Sequence, residues 1–180
     1  MKKILLSLLT IFLLVGCTSN LNNTPTKKVE QYLDKYQKLD DSVVADLNAT
    51  LDTDTSITED TKEDYLNLFK DQYKNLKYEI KDETIDGDIA TVETEITVID
   101  YASVISETEA YRTSDENKFK DENGNYDEKE YSKYRLEKLK AAKEETTYTL
   151  YLTVSKQDDK WVLNQLSNED LSKINGLYNG

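Results

Sequence analysis

The chain has 180 residues, with 36 acidic against 23 basic side chains for a formal charge of −13, one cysteine and no histidine. Without histidine, serine–histidine and cysteine–histidine catalysis are excluded and the commonest transition-metal ligand is missing. An acidic body excludes recognition of a phosphate backbone, so nucleic acid is not an expected partner, and anionic lipid head groups repel it.

Met1-Lys2-Lys3 leads into an apolar run from Ile4 to Val15 that only Ser7 and Thr10 interrupt. A positive start and about twelve apolar residues have the form of a signal-peptide core, and the run is shorter than the roughly 20 residues of a spanning helix. Leu14-Val15-Gly16-Cys17 resembles the lipobox of bacterial lipoproteins. The resemblance implies a diacylglyceryl group on the Cys17 sulfur and cleavage just before it. Residues 1–16 are then a signal peptide, and residues 17–24 are the lipidated cysteine and a polar tether. Two acyl chains hold a protein stably on a bilayer where one does not. The mature chain keeps 21 basic residues against 36 acidic ones, a net of −15. Abundant Lys, Asn, Asp and Tyr with few Arg and Pro suggest an AT-rich genome, and with it an extracytoplasmic location on a Gram-positive surface.

Residues 25–180 are expected to form one domain, long enough to bury a core without disulfides. Thr24 as N-cap and Pro25 at the first helical position open a helix. Its apolar stripe runs through Val29, Tyr32, Leu33, Tyr36, Leu39, Val43, Val44 and Leu47. After the polar segment "NATLDTDTSITED", Thr61 and Asp64 suggest a capping box for a second helix carrying Tyr65, Leu68, Phe69, Tyr73 and Leu76. The period then becomes two. Tyr78 and Ile80, the turn "DGD", and Ala90, Val92, Ile96 and Val98 predict a hairpin with one wet face. A second hairpin joins Tyr148, Leu150, Leu152 and Val154 through "QDDK" to "WVLNQL". Ser167 and Asp170 predict a capped final helix that stops near Gly176. Between the hairpins, residues 101–145 are charged, tyrosine-rich and helical in two halves, about 101–116 and 127–143. An insert this long is usually functional or mobile.

The fold class is therefore α+β. Two N-terminal helices pack on a curved antiparallel sheet of about four strands, with a helical insert between hairpins and a short C-terminal helix. The hairpin "KYEIKDETIDGDIATVETEITVID" and the ending "LYLTVSKQDDKWVLNQLSNEDL" resemble the nuclear transport factor 2-like (cystatin-like) domains of exported bacterial lipoproteins. In such domains a "DGKW"-type turn closes the sheet. Here an aspartate stands where glycine is common, which leaves the turn type open.

Few residues point to chemistry. Aligning Gly124 with the sixth position of an EF-hand loop places Asp121, Asn123, Asp127 and Glu130 at ligand positions. Phe119 stands where the first aspartate is needed, so this is a weak calcium candidate beside the plainer reading of a polar turn. No other cofactor is expected. Carboxylate pairs are too numerous to single one out. The resemblance implies a cone-shaped fold in which isomerases pair an aspartate base with a tyrosine donor, but nothing in the sequence opposes an acid to a phenol. Tyr32, Tyr36, Tyr65 and Tyr73 fall at helical spacing and read as core with hydroxyls at the rim. Tyr111, Tyr126, Tyr131 and Tyr134 lie among charges. They suit a recognition surface or else pack the inserted helices onto the sheet. The expected role is a non-catalytic, lipid-anchored module for an unidentified protein or small-molecule ligand. A carboxylate–tyrosine hydrolase or isomerase using the cone, and a structural subunit of an envelope complex, are the alternatives.

Overall fold

The structure, a computed structural model, describes residues 22–115 and 117–180. The expected signal peptide, the lipobox and Cys17 lie outside those residues. Helices α1 (Pro25–Gln37), α2 (Asp41–Thr53) and α3 (Lys62–Lys74) precede a hairpin of β1 (Lys77–Asp86) and β2 (Ile89–Ile99). Helices α4 (Tyr101–Thr113) and α5 (Glu128–Ala141) form the insert, and β3 (Glu145–Gln157), β4 (Lys160–Leu163) and α6 (Asn168–Ile174) follow. The four strands make one antiparallel sheet in sequence order. This is the expected α+β arrangement, with the insert between the hairpins.

The Thr24 hydroxyl accepts from Lys27 N–H at 3.1 Å and Pro25 occupies the first turn, so α1 starts where the sequence signals it. The stretch read as one helix to Leu47 is two. Leu39 takes a left-handed φ of +51°, and Asp40 then caps α2 by accepting from Ser42 N–H at 3.1 Å. The apolar stripe runs on across this break, so periodicity does not show it. At α3, Thr61 makes no side-chain cap. Its hydroxyl turns inward to Thr58 O and to the Ser132 hydroxyl of the insert, both at 3.0 Å, so the expected capping box does not form. The box expected at Ser167 and Asp170 does form, at the start of α6.

Alternation along the strands sorts the sheet into two faces. Ala90, Val92, Ile96 and Val98 of β2 and Leu150, Leu152 and Val154 of β3 are buried, and they meet Val29 and Leu33 of α1 in one core. A register shift between Ile80 and Asp82 marks a bulge in β1. Beyond it Glu83 pairs with the inward residue Val92, and its carboxylate accepts from Thr26 N–H at 2.8 Å and the Thr26 hydroxyl at 2.7 Å. The bulge therefore aims an acid at the N-terminus of α1, where the helix dipole favours it. At the other end of the sheet, the buried Gln72 amide holds Ile99 at both backbone groups, each at 3.1 Å. The closing turn of the second hairpin places Asp158 and Asp159 at φ +47° and +61°. This is the primed geometry of two-residue hairpins, held by aspartates, which tolerate it better than most side chains.

Candidate functional site

The inner face of the sheet is filled by the core side chains named above, and the acid aimed into it, Glu83 at the edge of β1, is only partly buried and held by Thr26. Among the described residues, the buried polar side chains are Thr61, Gln72, Thr94, Thr108, Ser132 and Arg135. Among those residues the one buried side-chain atom without a partner is the Thr94 hydroxyl, on the inward side of β2.

A sizeable opening lies beside the sheet. A groove of about 950 Å³ runs between α1 and α2 on one side and β4, the segment after it and α6 on the other. Its floor is an α1 stripe that includes Lys28, Tyr32 and Lys35, whose i, i+4, i+7 spacing puts them on one helix face. Tyr32 and Tyr36 share a hydroxyl–hydroxyl contact of 3.1 Å. Tyr36 meets Tyr73 edge-on with centroids 4.9 Å apart, and the Tyr73 hydroxyl donates to Asn175 Oδ1 at 2.7 Å. Burial pushes all three phenols above their ordinary value, and the Asp46 carboxylate adds to this. At neutral pH they are therefore uncharged hydroxyls that donate and accept rather than phenolate bases. Trp161, the only tryptophan of the chain, lines the groove from β4. Tyr32, Tyr36 and Tyr73 were legible as a helical stripe with hydroxyls at the rim. Asp46 and Trp161 join them only through the fold, and no local pattern marks either.

Tyr111, Tyr126, Tyr131 and Tyr134 of the insert are brought together. Tyr111 stacks on Tyr134 at 5.1 Å, Phe119 reaches Tyr131 at 5.2 Å and Tyr134 at 5.3 Å, and Tyr126 lies 6.3 Å from Tyr131. Tyr131 is 7% exposed, while Tyr111 and Tyr126 keep 45% and 49%. Lys118 sits 3.6 Å over the Tyr111 ring, and Arg112 lies 5.6 Å over both Tyr126 and Tyr131. The inner half of this cluster packs the insert on itself, with the Tyr131 hydroxyl donating to Glu109 Oε2 at 2.9 Å, and its outer half is an exposed aromatic–cationic face. Arg135 fastens the insert. It is 9% exposed, donates Nε to the Tyr65 hydroxyl at 2.8 Å and Nη2 to Ser56 O at 3.0 Å.

The calcium-aligned residues hold backbone instead. Asp121 accepts from Asn123 N–H at 2.9 Å and Asn125 N–H at 2.8 Å, which holds its carboxyl below the ordinary range, and Asp127 caps α5 by accepting from Glu130 N–H at 3.1 Å. Asn123 and Glu130 enter through their N–H groups. Among the described residues, no group of three or more His, Cys, Asp or Glu is placed to hold a metal ion. No helix among them is long and apolar enough to cross a membrane.

No curated protein matches the chain. The solved structure of a putative lipoprotein, YcdA, from Bacillus subtilis superposes with a TM-score of 0.51 at 15% identity, over 86% of this chain and 56% of that one. At that identity the likeness is one of fold, and this chain spans little more than half of that neighbour. The family described as a domain of unknown function, DUF5105, matches residues 19–175. With nearly the whole of the described region inside that match, the chain belongs to the DUF5105 family.

Proposed function

We propose that this protein is a lipid-anchored extracytoplasmic binding module, non-catalytic, that takes its ligand in the groove between α1–α2 and β4–α6. The groove carries the reading. It is the size of a ligand site, and aromatic and apolar side chains such as Tyr32, Leu47 and Trp161 line it together with hydroxyls, amides and the charged groups of Lys28, Lys35 and Asp46. The filled inner face, and the absence of any fully buried carboxylate among the described residues, weigh against an acid–phenol enzyme in the cone. The carboxyls of Asp34, Asp40, Asp60, Glu109 and Asp121 are displaced downward by their hydrogen-bond donors, the opposite of what a general acid needs.

Anchorage rests on the lipobox at Cys17, and the lipoprotein description of the Bacillus neighbour agrees with it, as does a Gram-positive surface. Helices on the concave side of a four-stranded antiparallel sheet support the nuclear transport factor 2-like resemblance. In this reading the module works without a metal, and the acidic body keeps nucleic acid away.

Two experiments test the reading. Cys17→Ala should move the protein from the membrane fraction to the soluble fraction and abolish labelling by radioactive palmitate, and unchanged partition would sink the anchor. Envelope extracts fractionated by size should shift the emission of Trp161, and Tyr32→Ala should weaken that response at least tenfold. A response equal in wild type and variant would remove the groove as the site.

A further inference from the structure

We propose that the groove takes an extended peptide segment, added as a strand to the free edge of β4. The inference rests on the groove being the binding site. Among the described residues β4 ends the sheet, and none of their strands lies beside its outer edge. Which of its backbone groups face outward follows from two hydrogen bonds. Trp161 N–H leaves the sheet and donates to Asn23 Oδ1 at 2.9 Å, whereas Asn164 N–H donates back to Thr153 O of β3 at 2.9 Å. Backbone groups of successive residues in a strand point to opposite edges. Leu163, two residues beyond Trp161, therefore turns its N–H and C=O outward, as Trp161 does its C=O. Both residues line the groove. Among the described residues, no hydrogen bond engages the Leu163 N–H.

The beginning of the same edge already holds an amide. The Asn23 side chain accepts from Trp161 N–H and donates its Nδ2 to Asp159 O at 3.1 Å. Those two bonds, around Lys160, are the pair that the peptide groups of a flanking parallel strand would make. One step further along, the same pattern sets the next amide between Trp161 O and Leu163 N–H, inside the groove. Charge does not choose the side chains of the occupant, because charges of both signs, Lys28 and Lys35 of α1 and Asp46 of α2, line the groove. Recognition falls on the main chain, with the aromatic faces of Tyr32 and Trp161 as apolar cover. That is the chemistry of strand addition, in which backbone bonds give affinity and pockets give choice.

The test uses the full chain in detergent micelles. The probe is a pool of decapeptides alternating Thr or Val with Ser or Lys, and a matched pool N-methylated at every second residue, which cannot pair as a strand. We expect the plain pool to shift Trp161 emission, to move the Leu163 amide resonance and slow its exchange, and to bind at least tenfold more tightly than the methylated pool. Equal affinity of the two pools, or a Leu163 amide unmoved on binding, overturns the proposal. Response to chitotetraose but to no peptide also overturns it and leaves the groove as a site for another ligand. Silence toward every probe overturns both. Concentration-dependent growth in particle size that moves Leu163 without peptide assigns the edge to a second copy instead, and overturns it too.

Discussion

Single residues settle how the ends of the elements are joined, and two of them make this measurable. Gly176 has φ +68°, its C=O accepts from Ala102 N–H at 2.8 Å, and a Cβ built on it would overlap Ile99 O and crowd the Gln72 amide. Only glycine combines that backbone with that approach. Gly176→Ala should cost about 2 kcal/mol or more, read as a fall in the urea midpoint. Glu109 is the second case. The Arg112 guanidinium beside it, and then the Tyr131 hydroxyl at 2.9 Å, hold its carboxyl below the ordinary 4.5. The folded value lies below the unfolded one, so the stabilisation is complete above about pH 4.5 and is lost as the pH falls through the folded value. The near-UV signal of the tyrosine cluster should therefore fade on acidification in wild type, and Glu109→Gln should remove that part of the dependence. Identical acid profiles for the two proteins would show that Glu109 does not hold the cluster. Such roles were hidden in the sequence: Glu109 is one of 36 acids, and its partner Tyr131 lies 22 positions away.

Elements were more legible, because their signals are local. Thr24-Pro25, "DGD" and Ser167 with Asp170 sit beside the boundaries they set, and the insert divides into α4 and α5 within a few residues of the expected limits. The failures share one cause. The break at Leu39 lies inside an unbroken apolar stripe, and Thr61 looks like a helix cap until the insert supplies Ser132 as a competing partner. The bulge in β1 was equally invisible, although it decides how α1 is seated. Its product, the Glu83 contact to Thr26, should be worth about 0.5–1 kcal/mol, since a carboxylate faces a helix N-terminus. Glu83→Gln should lower stability by that amount in urea unfolding and speed hydrogen exchange in the first turn of α1. Unchanged exchange there would show that the core alone seats the helix.

On the scale of the whole molecule, charge acts on everything at once. A body with 36 acidic and 23 basic residues repels itself, and salt screens that repulsion over a Debye length of about 8 Å at physiological strength. Raising NaCl from 10 to roughly 150 mM should therefore raise the melting temperature by a few degrees, as followed by circular dichroism. A fall would mean that ion pairs such as Lys77–Glu145 and Lys140–Asp64 outweigh the net charge. The sequence by itself determined the classes of chemistry that are closed, the lipobox expectation and the α+β order of elements. Composition, motif and period are properties of neighbouring residues or of the chain as a sum. Only the tertiary structure decided that the inner face of the sheet is filled, that the insert leans on α3, and that an open groove lies beside β4. The groove gathers Tyr32, Asp46, Tyr73, Trp161 and Asn175 from five separate segments, and no pattern along the chain encodes a distance that only packing creates.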